Sequence, residues 1–159
     1  MKNAYFAGGC FWCITPVFSE LPGVLSVTSG YCGGDEADPH YEDVKAQITG
    51  HRETVKIEYD ERKISYSELL NVFFDNVDIT DGGGQYIDRG RSYTLAVYYT
   101  DKDEKAAALS EIMALGCENT VSVEAYKRFY NAEEYHQNFY IKEPEKFKEE
   151  MELSGRNRK

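Results

Sequence analysis

The chain has 159 residues, 42 % of them hydrophobic, and 18 Lys and Arg against 28 Asp and Glu give a formal net charge of −10. That length fits one domain of residues 1–159, and the hydrophobic share supports a packed core and excludes a disordered chain. The acidic excess repels phosphate backbones and anionic lipid, so neither nucleic acid nor membrane is expected as a partner. No run approaches the roughly 20 apolar residues of a membrane span, and MKNAYFAGGCFWC lacks the apolar stretch of a signal segment, so a cytoplasmic location is expected.

Residues 3–7, NAYFA, predict a buried strand that stops at Gly8-Gly9. From Cys10 to about Glu20, Phe11, Ile14, Val17, Phe18 and Leu21 recur at helical spacing, and Pro22-Gly23 ends the helix. Val24 to Tyr31 reads as a second strand, followed by an Asp/Pro/His-rich loop to about Tyr41. TVKIEY, residues 54–59, alternates as a half-buried strand, and Ser67 can cap a helix whose Leu69, Leu70, Phe73, Phe74 and Val77 share a face. The glycine-rich loop DITDGGGQYIDRGRS precedes the strand YTLAVYY; Asp101 starts a helix that ends at Gly116, and VSVEAY is one more strand. Residues 142–159 form a charged, helical C-terminal tail. Strands and helices alternate too irregularly for a doubly wound sheet. The fold class expected is α+β, a two-layer sandwich of one mixed central sheet with packed helices, ferredoxin-like in type.

The four cysteines, Cys10, Cys13, Cys32 and Cys117, lie in a chain with no secretory signature and long enough not to need disulfides, so they read as chemistry. Cys10 follows two glycines at a predicted helix start, where unpaired N–H groups and the helix dipole favour a thiolate. Cys13, three residues on, is spaced to close a disulfide with an oxidised Cys10, although buried cysteines also serve as small hydrophobes. Zinc lacks its other half: Cys32 and Cys117 stand alone, and His40, His51 and His136 show no ligand spacing, so no metal is expected. Phe11 and Trp12 are either core aromatics or an apolar wall beside the nucleophile.

GGCFWC, followed in order by GYCGG, GHRETV, DRGRSY and YHQNFY, resembles the peptide methionine sulfoxide reductase A family from about Tyr5 to Tyr140. The resemblance implies an α+β fold, no cofactor, reduction of the S epimer of methionine sulfoxide, free or in proteins, and regeneration by thioredoxin or another dithiol. It makes Cys10 the nucleophile, Phe11 and Trp12 the walls of a methyl pocket, and Tyr41, Glu53, Asp88 and Tyr93 the remaining site residues. A sulfoxide oxygen must gain a proton or hydrogen bonds before its sulfur is attacked. Glu53 can supply that proton only if an apolar setting keeps it protonated, while Tyr41 and Tyr93 donate as phenols.

Many members of the family carry glycine at position 13 and place their resolving cysteines near the C-terminus; here none follows Cys117. Cys13 therefore inherits the resolving role, with Cys32, in a loop expected to border the site, and Cys117 as the other candidates. The family also commonly has Glu at Thr15 and Arg at Thr94. Two rival readings remain: a general disulfide oxidoreductase, which would not require Glu53 or the tyrosines, and a binding module for oxidised methionine without turnover.

Overall fold

A computed structural model describes residues 1–154; the last five residues of the expected tail, 155–159, lie outside the described part. In chain order the elements are β1 (Lys2–Gly8), α1 (Phe11–Ser19), β2 (Val24–Cys32), α2 (Tyr41–Lys45), β3 (Arg52–Tyr59) and α3 (Tyr66–Asp75). They continue as β4 (Gly84–Gln85), β5 (Asp88–Arg89), β6 (Leu95–Tyr99), α4 (Lys102–Leu115), β7 (Val121–Ala125), β8 (Phe129–Asn131), α5 (Phe139–Lys142) and α6 (Pro144–Ser154). Six strands form one sheet in the order β7-β6-β1-β3-β2-β8; only β6 and β7 run parallel, so the sheet is mixed and the class is α+β. β4 and β5 make a separate small hairpin. Among the described residues no helix is long and apolar enough to cross a membrane.

Period-two alternation divides the sheet into two unlike faces. On one, Ala4 and Phe6 of β1, Val55 and Ile57 of β3 and Leu95 and Val97 of β6 meet Phe11, Ile14 and Phe18 of α1, Leu69 and Phe73 of α3, and Ile112 of α4. This is the main core. The other face carries Tyr5, Ala7, Cys32, Ala96 and Tyr98 and has no helix over it in that cluster. Tyr126 stacks on Tyr5 at 4.3 Å and Phe129 tilts against the same ring at 5.7 Å. The chain between β7 and β8 thus passes from one sheet edge to the other across this face. Gly30 of β2 permits the crossing, because a Cβ there would collide with the Phe129 ring.

Several boundaries differ from the expectation, each for a local reason. Ser65, not Ser67, caps α3: its hydroxyl accepts from the Glu68 N–H at 3.1 Å and donates to the Glu68 carboxylate at 3.2 Å, which starts the helix earlier. Tyr93 closes a 3-10 turn (Arg91–Tyr93) before β6 instead of opening the strand. Glu53, expected just before a strand, lies inside β3. The loop expected to end near Tyr41 gives way to α2, and β8, only three residues long, carries too short a pattern to be read. The Asp101 cap and the left-handed Gly116 at the end of α4 stand as expected. The late YHQNFY segment is tied to β2 by Gln137, whose amide accepts from Ser29 N–H and donates to the Ser29 and Ala132 carbonyls.

Candidate active site

The site forms where β1 ends and α1 begins. A Cβ on Gly8 would press against Phe73 at 2.9 Å and Ile14 at 3.2 Å, so glycine lets both helices close over the strand end. Gly9 turns the chain at φ 89°, a left-handed conformation that glycine adopts without steric cost. Cys10 is the residue flanking α1, with extended ψ of 120°, and its carbonyl accepts from Cys13 N–H at 3.1 Å. Cys13 is buried in the first turn, whereas Cys10 is only partly buried, and their two thiols share a hydrogen bond.

Beneath this turn Glu53 is fully enclosed, on the same sheet face as Val55 and Ile57. Its Oε1 accepts the Phe11 N–H at 3.1 Å, while Oε2 has no protein partner among the described residues. Burial pushes the Glu53 carboxyl up to about 8; the Phe11 N–H opposes the rise and the charge of Asp88 adds to it. At neutral pH Glu53 therefore carries its proton.

Tyr41 and Tyr93 surround the same point. Burial raises both phenols well above the ordinary value, and each also feels Glu53, Cys10 and Asp88. Both are hydrogen-bond donors throughout the physiological range. Tyr41, at the start of α2, is anchored by its N–H to Glu133 Oε2 at 3.0 Å, and the other oxygen of Glu133 accepts from Tyr31 Oη at 2.7 Å. The turn bearing Tyr93 is held by Gln47, which donates to Ser92 Oγ at 2.7 Å and accepts from Ser92 N–H at 2.9 Å. Asp88 reaches the group from β5 of the small hairpin. Phe11 is buried among core residues, and partly buried Trp12 lies flat on Phe139, with ring centroids 4.0 Å apart and planes at 11°.

The chain thus brings Cys10, Cys13, Tyr41, Glu53, Asp88 and Tyr93 into mutual electrostatic contact from five separate segments. His136 is a residue the sequence reading gave no role. Its Nδ1 accepts the Trp12 indole N–H at 2.9 Å, and burial pulls its basicity down to about 4, so it is neutral and fixes the indole as an acceptor. The signal available was the YHQNFY segment itself, whose single His has a meaning only once Trp12 is seen beside it.

Two expectations need correction. Cys10 was expected as a thiolate at the helix mouth; instead its thiol is held well above the ordinary value, first by the Cys13 hydrogen bond, then by burial and the nearby Glu53 and Asp88. The Phe11 N–H, one of the free donors of the first turn, goes to Glu53 rather than to sulfur. Cys32 does not border the site on the Cys10 side: it belongs to the opposite sheet face with Tyr5 and Tyr98, and burial raises its thiol to about 12. Cys117 lies past the end of α4 with its sulfur 3.8 Å from the Ile112 carbonyl, buried in the main core. Among the described residues no group of His, Cys, Asp and Glu has the arrangement of a metal site.

A profile of the family described as peptide methionine sulfoxide reductase matches residues 2–159. The chain belongs to that family. It is 44 % identical to the peptide methionine sulfoxide reductase MsrA of Ligilactobacillus salivarius over 97 % of this chain and 92 % of that protein. Among solved structures, Mxr1 from Saccharomyces cerevisiae in reduced form superposes with a TM-score of 0.82 at 26 % identity, over 91 % of this chain and 86 % of that one. The same yeast protein in complex with Trx2 gives a TM-score of 0.54 at 18 % identity over 87 % and 84 %, a likeness of fold. The protein is accordingly an oxidoreductase that reduces methionine sulfoxide.

Proposed function

We propose that this reductase takes the S epimer of methionine sulfoxide, free or peptide-bound, with Cys10 as nucleophile, Glu53 as general acid and Cys13 as resolving thiol. The observation that carries the reading is the Cys10–Cys13 thiol pair set against a buried, protonated Glu53 whose Oε2 is unpartnered among the described residues. Tyr41 and Tyr93 donate hydrogen bonds to the sulfoxide oxygen, Phe11 and Trp12 face its methyl group, and Asp88 positions the substrate while its charge helps keep Glu53 protonated. With Glu53 neutral, the repulsion it would exert on a Cys10 thiolate is removed, so the sulfur ionises more easily than beside a carboxylate.

Cys10 Sγ attacks the sulfoxide sulfur as Glu53 protonates the oxygen. The protonated oxygen then passes from the substrate sulfur to Cys10 Sγ as the S–O bond and the transient Sγ–S bond break, so methionine leaves and Cys10 becomes a sulfenic acid: the substrate sulfur is reduced and Cys10 oxidised by two electrons. The proton lost by the Cys10 thiol restores Glu53. Cys13 Sγ then attacks Cys10 Sγ and expels hydroxide, which leaves as water. Residues three apart at a helix start fall within the roughly 7 Å Cα separation that a disulfide requires, and the extended ψ of Cys10 frees its side chain from the helix. Cys13 is beside Cys10, whereas Cys32 lies on the opposite sheet face and Cys117 past the end of α4, which ranks them behind Cys13. Thioredoxin or another dithiol regenerates the pair, by analogy with the yeast relative crystallised with Trx2. The β1-α1-β2-β3-α3-β6 core, with strands ordered β6-β1-β3-β2, supports a ferredoxin-like arrangement within one catalytic domain, and thiol chemistry of this kind suits a cytoplasmic site of action.

Turnover of separated S and R epimers with dithiothreitol tests the assignment, together with thiol counts after one turnover in Cys13→Ser and Cys32→Ser. S-only turnover, with the disulfide lost only in Cys13→Ser, is expected. Equal use of both epimers, or a disulfide persisting in Cys13→Ser, overturns the corresponding part.

A further inference from the structure

Trp12 has two sides. One faces Tyr41 of the candidate site, with ring centroids 6.3 Å apart; the other lines a cleft of about 460 Å³ bounded by Tyr135, Phe139 and Leu153, with Lys146, Glu149 and Glu150 of α6 on its rim. Tyr135 is 57 % exposed and Leu153 61 % exposed, which leaves two large apolar side chains open to solvent beside the partly buried indole. The cleft floor is well packed: Trp12 is stacked on Phe139 and hydrogen-bonded to His136, and α5 and α6 pack against α1. Among the described residues Glu149 and Glu150 have no cationic partner.

We propose that this cleft is a specificity subsite for peptide substrates, holding an apolar side chain one or two residues from the oxidised methionine, with a basic residue beyond it against Glu149 and Glu150. The inference rests on the proposed placing of the sulfoxide methyl against Trp12. An extended peptide advances about 3.3–3.6 Å per residue, so a neighbour in sequence reaches across one indole ring into the cleft. A peptide is the occupant because the cleft is continuous with the site through a shared wall: a chain whose methionine is at Cys10 must leave past Trp12 or away from it. The apolar lining selects an apolar side chain by removing its surface from water, and the two rim carboxylates, which outnumber Lys146, favour a positively charged neighbour.

The test compares kcat/KM for free methionine S-sulfoxide with that for short blocked peptides carrying Leu-Lys or Gly-Ser, placed on either side of the oxidised methionine. The Leu-Lys peptides are expected to be better by about tenfold on at least one side, the scale of one well-seated side chain in a pocket. Leu153→Ser should remove most of that advantage, and the double change Glu149→Lys with Glu150→Lys should lower the Lys contribution about twofold to fivefold, as rim charges do. Turnover of free sulfoxide should stay within about twofold in both variants, since neither touches the reacting atoms. Trp12 is the only tryptophan, so peptide binding to Cys10→Ser can also be followed by its fluorescence without any turnover. Equal kcat/KM and equal binding for Leu-Lys and Gly-Ser peptides on both sides overturns the subsite. Peptide-selective binding without sulfoxide reduction would instead overturn the catalytic reading and leave the subsite standing.

Discussion

Arg52 and Glu53 are neighbours on β3, yet they face opposite sides of the sheet and illustrate two ways of burying a charged residue. Arg52 donates to Thr94 at 2.8 Å from Nε and to Tyr98 at 2.9 Å and Glu124 at 2.7 Å from Nη1, a network around a guanidinium that stays charged. Glu53 has one hydrogen bond and an unpartnered oxygen, and answers its burial by keeping its proton. A satisfied buried charge holds structure together; an incompletely satisfied one is an acid available to a substrate. Thr94, where the family commonly has Arg, accepts from Arg52 Nε at 2.8 Å across the intervening β1.

The comparison breaks most visibly at the sulfur above Glu53. Cys10→Ser should lower sulfoxide turnover about 10⁴-fold or more, read as initial rate with dithiothreitol, while far-UV circular dichroism is unchanged. If Glu53 is the acid, Glu53→Gln should cost about 10²- to 10⁴-fold in kcat/KM. In the parent, kcat/KM should fall as pH rises through about 8, where Glu53 loses its proton, and this limb should vanish in the variant.

Stability should separate the two residues in the opposite sense. The Glu53 carboxyl is raised in the folded state, so its contribution is fully present below the ordinary Glu value of 4.5 and is lost as pH rises through about 8. Urea unfolding at pH 9 should therefore find Glu53→Gln more stable than the parent by about 1–3 kcal/mol, with the gap closing by pH 5. Arg52→Met should do the reverse, destabilising by about 2–3 kcal/mol because Glu124 and Tyr98 lose their donor, with turnover per folded molecule within about twofold. Gly30→Ala on the Arg52 face should cost about 1–3 kcal/mol from the clash with the Phe129 ring and the Tyr130 carbonyl, again without change in turnover. A large loss of turnover in either Arg52→Met or Gly30→Ala would break the division between the faces.

Much of this was legible in residue order. Short strand-like runs marked β1, β2, β6 and β7, the alternation of TVKIEY marked β3, the Asp101 and Gly116 caps bracketed α4, and GGCFWC placed a cysteine at a strand-to-helix turn, because hydrophobic pattern and backbone chemistry act over a few residues. Strand order, the crossing of residues 126–128 over the second face, and the short β8 were not, because they depend on pairings across long stretches of chain. Nor could local rules decide ionisation. The position of Cys10 predicts a thiolate, but the Phe11 N–H is taken by Glu53 and the Cys10 sulfur by Cys13, partners brought in by folding. The site types were written in the chain. Which of them carries a proton, and which cysteine faces which side of the sheet, follows from burial and alternation around β3, quantities that exist only once distant strands have paired.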